Sequence, residues 1–216
     1  MSSQVLRRLA GGALAVGSAL AIAGYGMASL QNGTPTPAMV KSPLYLASGL
    51  LTYVGSVLVV LGLPGLIAAQ FSRSRTLTLI GAVGFALVTL IDGICNTFAN
   101  ITLFPMLIDN PATRAAATGN PPAIMAAFYV AATVSALAAA VLLGIAVLRS
   151  RVFPRWAGVM LLLAGAAFPL SAAVAALGNL SPIVAGIAMI GIGWVLAAEH
   201  ADSAEPAAAM AASTAA

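Results

Sequence analysis

Thr76–Phe104 reads TLTLIGAVGFALVTLIDGICNTFANITLF. The stretch opens as an unbroken apolar run and then acquires Asp92, Asn96 and Asn100 at intervals of four. On a helix that spacing stacks the three on one face, with Thr89 and Cys95 bordering the stripe. Asp92 is the one carboxylate inside any long apolar stretch of the chain. A charged side chain at membrane depth costs about 2.5–3.5 kcal/mol on insertion scales, so Asp92 calls for a partner, water or a proton.

The residues around this stretch set its solvent. Mean hydropathy is +1.05, 61% of residues are hydrophobic and 6% are charged. Soluble domains carry roughly 25% charged residues, so the composition points to an integral membrane protein. The fold class that follows is all-α, a polytopic transmembrane helical bundle. A chain of 216 residues holds six spans of about 20–25 residues each with short connections. The spans are expected near residues 9–30, 44–70, 76–104, 123–148, 156–177 and 183–198. Residues 1–200 then form one transmembrane domain, and 201–216, Ala- and Ser-rich with no apolar period, form a disordered tail. The first apolar run follows Arg7 and Arg8 as a signal peptide would, but it is longer than a usual signal core, which favours a retained span.

Prolines punctuate the pattern. Pro35, Pro37 and Pro43 argue for a loop after the first span, and Pro105 is expected to end the third, leaving 105–122 as the longest loop. Pro64 and Pro169 lie inside apolar runs, where they predict kinks. Gly186, Gly191 and Gly193 on the last span allow close helix approach, either within the chain or at a dimer face.

Charge sets the orientation. With six spans, Arg7, Arg8, Arg73, Arg75, Arg149, Arg151 and Arg155 fall on one side, and only Lys41 and Arg114 on the other. The positive-inside bias puts both termini in the cytoplasm of a bacterial plasma membrane. The same distribution removes any reason to read the net charge of +4 as nucleic-acid affinity. The expected partners are the lipid bilayer and, beyond it, a membrane-protein partner or a second copy of the chain.

Two turns share the triplet Arg-Ser-Arg, at 73–75 and 149–151, a weak sign of repeated hairpins. The second continues as RSRVFPRWAG, residues 149–158. Together with GLPGLIAAQ and LIGAVGFAL in the earlier hairpin, this segment resembles uncharacterised small multi-spanning membrane proteins of actinobacteria and other bacteria. The resemblance implies a bundle of about six spans and carries no activity with it. The residues themselves read as a span start: Pro154 suits a first helical turn, Arg155 meets headgroups and Trp156 anchors the interface.

Catalytic and cofactor chemistry finds little support. His200 is the only histidine and Cys95 the only cysteine, so no cofactor and no metal site are expected, and the chain does not read as an enzyme. The candidate binding site is a polar, outward-facing pocket around Asp92, with Thr89, Asn96 and Asn100 on the same helix. Ser48 and Thr52 on the second span, Tyr129 and Thr133 on the fourth, and Ser171 on the fifth are possible facing groups at similar depth. Two roles remain open at this point. One is a non-enzymatic membrane subunit, sensor or scaffold; the other is a small transporter or proton-coupled carrier that uses Asp92.

Overall fold

The structure, a computed structural model, describes residues 3–31, 36–118, 123–173 and 179–198. All regular structure among the described residues is helical: α1 (Ser3–Ser29), α2 (Pro37–Val40), α3 (Pro43–Val88), a π-helical segment (Thr89–Asn96), α4 (Thr97–Asp109), α5 (Pro111–Thr118), α6 (Ala123–Ser150), α7 (Arg155–Ala173) and α8 (Leu180–Ala198). The tail and His200 lie outside the described residues.

Local sequence explains the helix starts. Thr36 accepts a hydrogen bond from the Met39 amide at 3.2 Å and Ser42 one from the Tyr45 amide at 3.2 Å. In each case a proline follows at the first helical position, where its missing N–H costs nothing. At its other end, α6 stops at Ser150, and Arg151 turns the chain with φ 54°. A left-handed residue just past a helix is a common terminator.

Helix α3 is folded double. Ser74, with φ −151° and ψ 53°, is its one internal departure from helical dihedrals, and the backbone stays helical through Pro64. Residues roughly equidistant from Ser74 meet across the hairpin. Gly49 packs on Ile101 and Gly93 on Ser56, the Tyr45 hydroxyl donates to the Asn100 carbonyl at 3.4 Å, and the Tyr53 and Phe98 rings lie 6.1 Å apart. The Arg-Ser-Arg turn at 73–75 is therefore a true reversal. It docks on the end of α6: Arg73 donates to the Ser150 carbonyl at 3.1 Å and Ser74 to the Ala146 carbonyl at 3.4 Å.

The helical rods pack in chain order. Helix α1 lies against the first arm of α3, residues 43–73; the second arm, residues 75–88, lies against α6; α6 packs on α7, α7 on α8, and α8 returns to α1. The ring closes on backbone contact. A Cβ on Gly11 would sit 2.7 Å from the Gly193 carbonyl oxygen, and one on Gly17 would sit 2.7 Å from that of Gly55. Without a hydrophobic drive between helices in lipid, such close approach is a main source of association. Gly186 meets Ile22, Gly191 meets Trp156 and Gly193 meets Gly11, so this glycine face is used inside the chain.

Apolar side chains face both ways. Leu14, Leu66, Leu143, Leu161 and Ile192 are fully buried, whereas Leu61 is 62% and Trp194 71% exposed. Rods apolar on every side suit a hydrocarbon surround. Among the described residues, four helical segments are long and apolar enough to cross a membrane: Val5–Ser29, Pro43–Asp109, Val130–Ser150 and Leu180–Ala198. Pro43–Asp109 is the doubled one, and Arg155–Pro169 is apolar but shorter.

The region expected to be the longest loop differs most from its reading. Helix α4 runs through Pro105 to Asp109, and α5 follows directly. A proline forfeits a single backbone bond, and helix on either side of it carries the rod onward. Asn110 explains the restart, since its side chain accepts from the Ala112 amide at 3.0 Å just ahead of Pro111. At this end Lys41 pairs with Asp109 at 2.7 Å, and Arg114 donates to the Ile108 carbonyl at 2.8 Å.

Candidate functional site

A chamber of about 150 Å³ lies at the centre of the ring, and every rod supplies part of its wall. It occupies the half of the bundle remote from the arginine-bearing turns. Tyr25 comes from the far end of α1, Phe168 from that of α7, and Asn179 and Pro182 from the start of α8.

The π-helical segment shapes one side. Thr89–Asn96 is wound more loosely than an α-helix, and both the amide and the hydroxyl of Thr97 reach back to the Asp92 carbonyl, the hydroxyl at 3.2 Å. Single π turns inside α-helices recur at functional sites. Gly93 is the buried residue of this segment, and a Cβ there would run into the Ser56 side chain. Its bare backbone lets the two arms of the hairpin touch, which sets Asp92 at the chamber wall.

Asp92 is solvent-accessible and accepts from Asn96 Nδ2 at 3.1 Å through Oδ1, leaving Oδ2 for a second donor. Thr89 also lines the chamber; its hydroxyl donates to the Phe85 carbonyl at 2.8 Å, so an oxygen lone pair still faces outward from its helix. From other helices come Ser18, Tyr25 and Ser56, and Tyr25 is close enough to Asp92 to interact electrostatically. Among the described residues, Ser18 Oγ is buried and has no hydrogen-bond partner. Val59, Phe85, Phe168 and Met189 make the apolar part of the wall.

The residues expected to form the pocket are only partly brought together. Thr89 and Asp92 line it, and Asn96 holds the carboxylate from outside it. Asn100 is exposed, with its carbonyl engaged by Tyr45. Ser48 is buried and donates to the Tyr45 carbonyl of its own helix at 2.8 Å. Thr52 is buried against Gly24 of α1. Thr133 is half-buried and is not part of the chamber wall. The Tyr129 and Ser171 side chains lie outside the described residues. Cys95 is exposed with a free thiol.

The wall also includes Ser18, Tyr25, Ser56 and Asn179, none of them among the residues expected to form the pocket. Ser56 continues the four-residue spacing of Ser48 and Thr52, a signal that marks it in the sequence; Ser18 and Tyr25 are seven apart on one face of α1, and Asn179 stands just ahead of α8. Asn179 Nδ2 donates to Ser29 Oγ at 3.1 Å, tying the start of α8 to the end of α1 beside the chamber. The assembled wall offers one carboxylate, four hydroxyls and two phenylalanine rings. That is an inventory for holding a small, partly apolar molecule. Among the described residues, no three of His, Cys, Asp and Glu come together as a metal site would need.

No protein family, curated protein or solved structure significantly matches the chain.

Proposed function

We propose that this chain is a non-enzymatic multi-pass membrane protein of the bacterial plasma membrane, working as a carrier for a small molecule taken into the central chamber. Six crossings serve this reading: α1, the two arms of the α3 hairpin with α4 extending the second, α6, α7 and α8. The seven arginines gathered at one end make that end cytoplasmic, together with both termini. The chamber then faces outward. The observation that carries the proposal is Asp92 on the wall of a chamber to which every rod contributes. A carboxylate inside an apolar bundle is costly to retain and marks a binding or proton site by default. Chambers between the helices of a bundle are also usual ligand sites.

Cysteine accessibility tests it. Cys95 is first replaced by Ala, and Thr89→Cys is introduced at the chamber wall. A membrane-impermeant thiol reagent added outside is expected to label position 89. A carrier that alternates access is also labelled in inside-out vesicles. Labelling from outside alone supports a sensor or subunit that binds without transport. Protection from both sides in folded protein means a dry helix contact and removes the chamber from the functional account.

A further inference from the structure

We propose that the chamber selects a protonated amine carried on a compact apolar body, about the size of a single aromatic ring. The inference rests on the chamber being a ligand site, as put forward above, and adds the chemistry of what fills it.

Charge comes first. Among the described residues, Asp92 is the one ionisable carboxylate on the wall, and no lysine, arginine or histidine shares it. An anion entering would meet a like charge with no counter-charge to offset its desolvation. A cation meets Asp92 Oδ2, left available by the Asn96 hydrogen bond.

Ser18 supplies an independent second point. The residue is 1% exposed and lines the chamber, and among the described residues its hydroxyl has no partner. Leaving a buried hydroxyl unpaired costs about 1–3 kcal/mol, a cost that a ligand donor or acceptor relieves. A serine on a helix can ordinarily bond the carbonyl one turn back, and in this chain Ser29, Ser135 and Thr89 do so. Ser18 does not, so among the described residues its oxygen is left unbonded beside the chamber. An ammonium has several N–H donors and serves Asp92 and Ser18 together; a quaternary ammonium, lacking them, does not.

The rest of the wall limits the body of the ligand. Phe85, Phe168, Val59 and Met189 give it apolar contact, and the two rings can also face a cation. At about 150 Å³ the chamber matches the size of apolar cavities known to accept one benzene ring.

The test uses full-length protein in lipid nanodiscs and three ring probes of nearly equal size: benzylamine, benzyl alcohol and benzoate. Binding is measured by calorimetry at pH 7. Benzylamine is expected to bind at one site at least tenfold more tightly than benzyl alcohol, with benzoate weakest. Asp92→Asn should remove that preference, so that benzylamine binds no more tightly than benzyl alcohol. Ser18→Ala should weaken benzylamine three- to tenfold without lowering the melting temperature. If benzyl alcohol or benzoate binds as well as the amine, or Asp92→Asn binds the amine unchanged, the charge selectivity is wrong although the chamber remains a ligand site. If none of the three binds to protein that melts cooperatively, the chamber reading fails and this inference fails with it.

Discussion

Gln70 illustrates how much a single buried polar group decides in this bundle. Its side chain is fully buried, its Oε1 accepts from the Thr78 hydroxyl at 2.9 Å, and among the described residues its Nε2 has no partner. An orphaned amide costs about 1–3 kcal/mol, while the bond it makes returns about 0.5–1.5 kcal/mol. Gln70→Met removes both, and Thr78 keeps Ser74 as a neighbour at 3.4 Å. The variant is expected to melt no lower than the parent in detergent, and a fall of several degrees would mean that Nε2 is satisfied after all. Asp92→Asn should likewise leave folding within about 1 kcal/mol, because an amide can replace the carboxylate as the acceptor for Asn96. Thermal melts of the two variants side by side check this. A collapse on losing only the charge would make Asp92 a structural residue rather than a site. At this scale the sequence was legible where residues repeat at intervals of four. Asp92, Asn96 and Asn100 repeat that way, with Thr89 bordering the stripe, and Ser56 continues the same spacing from Ser48 and Thr52, whereas Ser18 stands in α1 with no polar residue four positions away.

Elements in this protein touch through what their glycines lack. The α1–α8 seam sets Gly11 and Gly193 backbone to backbone, while Gly12, one position on, has nothing near a prospective Cβ. Gly12→Ala is expected to be neutral or to stabilise by up to about 1 kcal/mol through helix propensity. Gly11→Val must push the backbones apart and should lower the melting point sharply or abolish a monodisperse peak in size-exclusion chromatography. Equal behaviour of the two variants would contradict the packing. The α6 terminus offers a second case. Arg151 sits at φ 54°, a conformation that costs non-glycine residues about 1–2 kcal/mol. Arg151→Gly is expected to raise stability by roughly that order, read from the thermal midpoint. Helix existence was evident from apolar runs and hairpin turns from arginine triplets. The passage of α4 through Pro105 was not, because proline's local preference gave way to a rod already supported on both sides. The π-helical winding at Thr89–Asn96 also leaves no trace in composition, since it reflects how the two arms meet at Gly93 and Ser56.

For the whole molecule, the ring predicts one topology. Thr36 and Ala112 are exposed at the end holding Lys41, Asp109 and Arg114, and Ser72 is exposed at the arginine end. In a background with Cys95 replaced, single cysteines at Thr36 and Ala112 are expected to react with an impermeant reagent on intact cells, and one at Ser72 only after lysis. Reaction at Ser72 on intact cells would invert the orientation or break the α3 hairpin into something other than two crossings. An all-helical chain with several segments long and apolar enough to cross a membrane could be anticipated from length and hydropathy. Their circular arrangement could not, because helices apolar on every side do not announce their neighbours.

That circular arrangement bears on how the protein is made. Each rod's first neighbour has already left the ribosome when it appears, so assembly can keep pace with translation without waiting. Closure is the exception, since α8 must join both α7 and α1, the newest rod and the oldest. Until Leu180–Ala198 enters the bilayer, Gly11 faces lipid instead of Gly193, and Pro182, Ala185 and Met189 are missing from the chamber. A nascent chain halted before residue 180 is thus an open crescent with an unsealed edge, and the wall of the chamber is complete only with the last helix delivered.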